Sequence, residues 1–224
     1  MVRMGPSFVD DLWDFDDPTG SEQRFRSAAA VALTQAARAL GLLERYDEGH
    51  AVLDAIESDD AEVGVRVLLE RGRLLRSAGA PTAEPFEHAA AAAGAAGLQE
   101  LRVDALHMLA MLPEAPAEQI AANQAALAEA GGTKWEASLL NNLGCAQVDA
   151  EDLPAALATF ERALAVREAR GEERPIQIAR WMVGWTLRLL GRTDEALAIQ
   201  TALKAEVGDT DPYVDEELAL LQGG

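Results

Sequence analysis

The chain of 224 residues contains a single cysteine, Cys145, so no internal disulfide framework can form. Its three histidines, His50, His88 and His107, lie far apart and form no H-E-x-x-H pair, so neither a metal nor any other cofactor is expected. Cys145 has no histidine in a neighbouring turn to act as a base, and the glutamates, including Glu168, Glu172 and Glu173, read as solvated faces. Gly131, Gly132, Thr133 and Lys134 lack the preceding strand and first glycine of a phosphate loop. With no site chemistry visible, the chain is not expected to be an enzyme. No apolar run approaches the ~20 residues of a spanning helix, and MVRMGPSFVDD lacks the basic-then-apolar order of a secretory signal. The expected location is cytoplasmic. Bases are scarce as well: the formal charge is −19, which argues against nucleic acid and anionic membrane as partners. A strongly acidic surface is most simply a solubility device.

Small and large residues, by contrast, recur in register. Leu140, Leu143, Gly144, Gln147, Ala156, Phe160 and Ala163 are matched by Val183, Gly184, Leu187, Ala196, Gln200 and Leu203. Each set places two apolar stripes at helical spacing, with small residues where two antiparallel helices approach and Phe160 where the gap widens. The template extends backwards to Ala37 with Gly49, Leu53 and Ile56, to Gly72 with Phe86 and Ala90, and to His107 with Gln119, Asn123 and Ala126. The reference points Ala37, Gly72, His107, Gly144 and Gly184 are 35, 35, 37 and 40 residues apart by subtraction. Boundary signals agree: Asp152 before Leu153 and Pro154, and Asp211 before Pro212, read as helix starts, Thr193 as another, and Thr133 with Glu136 as a capping box.

The segment LNNLGCAQVDAEDLPAALATFERAL, Leu140 to Leu164, resembles the tetratricopeptide repeat (TPR) family, whose unit is a ~34-residue helix–turn–helix. The resemblance extends over residues 21–207. It implies an all-α, right-handed α-solenoid of about five hairpins that binds a peptide or protein segment on its concave side. Leu140 stands where the family has a large aromatic, Gln147 and Leu187 where it has tyrosine, and His107 where it has a small residue. Some members grip a terminal carboxylate with lysines and asparagines; Asn142 matches one such asparagine, but the lysines are missing, since only Lys134 and Lys204 occur.

The ends differ from the repeat. Residues 1–20 interleave Phe8, Leu12, Trp13 and Phe15 with five aspartates, Asp10 to Asp17, and close on Pro18, Thr19 and Gly20. Two readings stand: a cap over the first hairpin, or an acidic aromatic arm that docks in a groove of this molecule or of a second copy. Residues 208–224 read as a capping helix from Asp211 to Leu221 with a frayed glycine tail.

In the expected fold the first helix of each hairpin presents a stripe to the concave side. The trios are Thr34, Arg38 and Gly41; Leu69, Arg73 and Arg76, with Arg66 one turn earlier; Asp104, Met108 and Met111; Asn141, Cys145 and Val148; and Trp181, Trp185 and Arg188. Arginine forks suit carboxylates, the tryptophans an apolar or aromatic side chain, and the methionines an adaptable wall. An acidic peptide with an aromatic anchor would satisfy all three. The competing reading buries the tryptophans against the cap helix and pairs the arginines with glutamates of neighbouring helices. The expected function is a non-enzymatic protein interaction scaffold; a peptide-sensing regulator, or a homo-oligomer assembled through the arm, are the alternatives.

Overall fold

The computed structural model of the protein describes residues 10–223, so Phe8 of the arm and Gly224 of the tail lie outside the described residues. Eleven α-helices follow one another among these residues, and none of them is in a strand. They are α1 (Pro18–Leu42), α2 (Tyr46–Asp54), α3 (Ala61–Ser77), α4 (Ala83–Ala95), α5 (Gln99–Ala110), α6 (Pro116–Leu127), α7 (Glu136–Asp149), α8 (Leu153–Arg170), α9 (Glu173–Leu189), α10 (Thr193–Val207) and α11 (Pro212–Gln222). Taken two at a time in chain order, the first ten match in number the five hairpins that the repeat spacing predicts; α1/α2, α3/α4, α7/α8 and α9/α10 pack as pairs, and α11 follows them. No helix among the described residues is long and apolar enough to cross a membrane. The chain divides within α5 into two compact units, residues 1–106 and 107–224.

In the first unit α1 pairs with α2, α3 with α4, and α1 also packs on α3. Its hairpins meet at small residues. A Cβ built on Gly72 would lie 2.6 Å from Cε1 of Phe86, and one on Gly49 would lie 2.9 Å from a Leu74 methyl and 3.3 Å from the Ala37 carbonyl. Ala37, Leu53 and Leu74 form a buried cluster flanked by Tyr46, Val52, Ile56 and Val67.

The second unit repeats the arrangement. A Cβ on Gly144 in α7 would stand 2.5 Å from Cε1 of Phe160 in α8, so the ring fills the space that any other residue would occupy. Gly184 in α9 stands in the same relation to Gln200 in α10, whose Nε2 would be 2.7 Å away. The cores of successive hairpins merge: Ala156, Leu157, Phe160, Val183, Leu187, Ala196 and Leu221 form one buried cluster, which places α11 against the same core.

The turns repeat too. After α1, α3, α4, α7 and α9 the chain ends its helix with the same pair of hydrogen bonds, for example Glu151 N to Val148 O at 2.9 Å and Asp152 N to Gln147 O at 2.8 Å. This is a Schellman closure, which needs one residue with positive φ. Gly79, Gly97 and Gly191 supply it at φ of 72°, 69° and 73°, whereas Glu44 and Glu151 adopt it at 60° and 59°.

Asp152 and Asp211 cap α8 and α11 as expected, accepting from Ala155 N at 3.2 Å and Tyr213 N at 3.1 Å. Thr193 is the first residue of α10, after an N-cap at Arg192 that makes no side-chain cap bond. The expected capping box is not formed. α7 begins at Glu136, after an N-cap at Trp135. The buried Thr133 hydroxyl donates back to Ala130 O at 2.7 Å, and Glu136 Oε2 accepts from Gly132 N at 3.1 Å. The turn at Gly132, φ 77°, carries the chain past the register in which Thr133 and Glu136 could serve one another. At the other end, Pro18 to Gly20 are the first turn of α1, because Asp17 caps it by accepting from Gly20 N at 2.9 Å.

Two substitutions check these devices. Gly144→Ala should lower stability by about 1–3 kcal/mol through overpacking against Phe160, while Gly64→Ala, whose Cβ meets nothing within 4 Å, should raise it by about 0.5–1 kcal/mol. Glu151→Gly should stabilise by about 1 kcal/mol, since glycine adopts the left-handed turn without the Cβ clash. Urea midpoints of the three variants are the measurement; equal midpoints for Gly144→Ala and Gly64→Ala would contradict the close-approach account.

Candidate functional site

The second unit carries an open cavity between the first turns of α9 and α11. Glu217 is the anchor of α11: both of its oxygens accept from Arg188, at 2.7 and 2.9 Å, and the carboxylate is nearly buried. Trp181 Nε1 adds a bond to Tyr213 O at 3.2 Å, and Lys204 holds Asp209 and Asp215 at 2.8 and 2.6 Å. These contacts fix α11 without filling the space beside its N-terminus. A cavity of about 300 Å³ remains, lined by Arg174, Ile178, Trp181, Met182, Asp211 and Tyr213.

The walls are mainly aromatic and aliphatic. Trp181 stacks on Trp185, centroids 5.9 Å apart and planes 10° apart, and meets Tyr213 edge-on at 6.2 Å. Trp185 in turn lies edge-on to the buried Phe160 at 6.5 Å. The two tryptophans thus divide the readings open in the sequence: Trp185 packs on the core, and Trp181 lines the cavity. Ile178 and Tyr213 are exposed by 42% and 63%, so a large part of the apolar wall faces solvent. At the rim Arg174 Nη1 lies 2.9 Å from Asp211 Oδ2. Asp211 is committed to capping α11, whereas the Arg174 side chain is 56% exposed.

The arginines of the first unit form a different structure. Glu70 lies 2.6 Å from Arg73 and 3.8 Å from Arg38, and Arg73 also bonds Asp104. Glu70, Asp104 and Arg73 are nearly buried and Arg38 is half-exposed. Burial pushes the Glu70 carboxyl up; the Arg73 and Arg38 guanidinium groups oppose this, and Asp104 adds to it. Its Oε2 has no hydrogen-bond partner among the described residues. Arg66 pairs along its own helix with Glu62 at 2.7 Å, and Arg76 is exposed.

The remaining stripe residues are mixed. Thr34, Leu69, Asp104 and Met108 are buried, while Met111 and Asn141 are partly exposed. Asn141 Nδ2 lies 3.9 Å from Cys145 Sγ, whose thiol burial pushes up, with the Asp149 carboxylate adding to the effect. Asn142 is engaged with His107 Nε2 at 3.1 Å. For Arg38, Arg73 and Arg188 the neighbours are carboxylates of other helices, the arrangement given by the competing reading of the stripe. Sequence reasoning missed Arg174, Ile178, Tyr213 and Glu217. Spacing held a signal for Arg174 and Ile178, two turns and one turn before Trp181, and for Glu70, three residues before Arg73. None existed for Glu217.

No protein-family model matches the sequence, and no curated protein sequence does. Solved structures do. A kinesin light chain-like protein of Podosopora anserina with nearly identical TPR-like repeats is 15% identical, with a TM-score of 0.61 over 84% of this chain and 98% of that one. A substituted form of the same protein aligns with a TM-score of 0.62 at 15% identity, over 84% and 96%. BtubC (BKLC) from P. vanneervenii is 19% identical, with a TM-score of 0.59 over 85% and 94%. The chain has the TPR-like repeat fold.

The buried Glu70 gives the first unit of this TPR-like chain a pH signature. A carboxyl raised by folding binds its proton more tightly in the native state, so its contribution to stability is present in acid and lost as pH rises through the raised value. Relative to Glu70→Gln, the wild type should gain stability as pH falls from about 7 to about 4.5. Urea unfolding of both proteins across that range checks it, and a flat or opposite difference would refute the assignment.

Proposed function

We propose that the protein is a non-enzymatic interaction module whose principal docking point is the α9/α11 cavity, and that it takes an aromatic or large aliphatic side chain from an acidic peptide segment. The observation that carries the reading is the apolar wall formed by the exposed Ile178 and Tyr213 and the partly buried Trp181, with the Arg174 guanidinium at its rim. About 300 Å³ is at the lower limit of ligand pockets, which suits one side chain better than a whole cofactor. An incoming ring gains burial and an edge-on or offset contact with Trp181 or Tyr213. A carboxylate beside it meets the unused donors of Arg174.

The other groove residues have secondary parts in this proposal. In the second unit Trp185 backs Trp181, Arg188 holds α11 in place through Glu217, and Asn141, Met108 and Met111 belong to the same family of first-helix stripes. In the first unit the exposed Arg76 and half-exposed Arg38 offer positive charge to an acidic segment, with Arg66 and Arg73 supporting them from within ion pairs.

A short peptide with phenylalanine between aspartates should change the tryptophan fluorescence of the protein on binding. Ile178→Asp should abolish the response, and Arg174→Glu should weaken binding about tenfold, or about 1.4 kcal/mol. Replacing the peptide's phenylalanine by alanine should have the effect of Ile178→Asp; equal binding of both peptides would defeat the proposal.

A further inference from the structure

The arm has the chemistry that the cavity is built to receive. Asp10, Asp11, Asp14, Asp16 and Asp17 surround Leu12, Trp13 and Phe15. Its base is held: Arg24 Nε donates to Leu12 O at 3.0 Å, Asp14 N donates to Ser21 Oγ at 2.8 Å, and Trp13 lies edge-on to Phe25 at 5.1 Å. Phe15 is not covered by this. Its ring stacks on Trp13 at 5.7 Å, and at 87% it is the most exposed large apolar side chain among the described residues. A held base presenting a bare aromatic ring loses little conformational freedom on docking.

We propose that Phe15 of one copy inserts into the α9/α11 cavity of a second copy, with Asp16 on Arg174, so that the chain self-associates through its arm. This rests on the cavity reading above and names its occupant. The match is one of size and charge: one ring for one side-chain-sized cavity, and a carboxylate next to that ring for an exposed guanidinium at the rim. Each copy holds one arm and one cavity, so the contact joins unlike surfaces and closes as a reciprocal pair or continues as a row. The chain's charge of −19 opposes the approach of copies, so association requires screening, about 0.15 M salt.

Sedimentation of the full chain in that buffer, up to about 1 mM, should show concentration-dependent association. Phe15→Ala and Ile178→Asp, both at exposed positions, should each weaken it tenfold or more with unchanged helicity by circular dichroism. An equal mixture of the two variants should associate again as hetero-pairs, because one retains the cavity and the other the arm. A synthetic peptide of residues 10–17 should bind the Phe15→Ala chain and not the Ile178→Asp chain. A monomeric wild type, association indifferent to both variants, or failure of that peptide to bind would overturn the proposal. If the arm peptide fails while another acidic aromatic peptide binds, only self-docking is lost; if neither binds, the cavity reading falls with it.

Discussion

Phe160 lying over Gly144, and Phe86 over Gly72, is the contact on which the two units are built. A helix pair can come this close only if one partner has no side chain, and the aromatic ring then fills the space that its absence creates. The approach in turn fixes where the flanking residues fall. Around Gly144 it brings Ala156 and Leu157 onto a core shared with Val183 and Leu187 of the next hairpin. Four of the five Schellman turns act with it, those after α1, α3, α7 and α9, by ending the first helix of a hairpin at the point where the second must reverse.

The candidate site is a consequence of how α11 packs after the α9/α10 hairpin. α11 buries Val214 and Leu221 beside the core of the preceding hairpin, while Glu217 ties it to Arg188. The arginine–carboxylate pair holds the helix in one position, since losing the partly exposed Arg188 would strand the nearly buried Glu217 carboxylate away from water. Held at that point, α11 leaves a cavity beside the N-terminal half of α9, with Ile178 and Tyr213 exposed and Trp181 partly buried in its wall. The same packing therefore adds Leu221 to the core at one end of α11 and leaves a cavity at the other.

Charge is organised by a comparable rule. Acids outnumber bases by 38 to 19, and several arginines of the first helices are drawn into carboxylate contacts between helices. Glu70 shows what this costs: its carboxyl is kept from water and raised, although two guanidinium groups are near. The basic stripe visible in the sequence is in part a set of fastenings.

Local and periodic features were legible before any coordinates. Gly144 with Phe160, Gly184 with Gln200, the hairpin spacing, and the caps at Asp152 and Asp211 each depend on residues within one hairpin or one turn, where the chain itself sets the distance. Thr133 and Glu136 show the limit of such reasoning, because a glycine turn with positive φ shifted a motif that depended on register. The site was legible only as a helical stripe containing Trp181 and Trp185. Which of the two faces the cavity, that Tyr213 forms its other wall, and that Glu217 claims Arg188 are set by the angle at which α11 meets α9. That angle rests on a few contacts between segments about thirty residues apart, Trp181 with Tyr213 and Arg188 with Glu217 among them, and no short-range spacing encodes it.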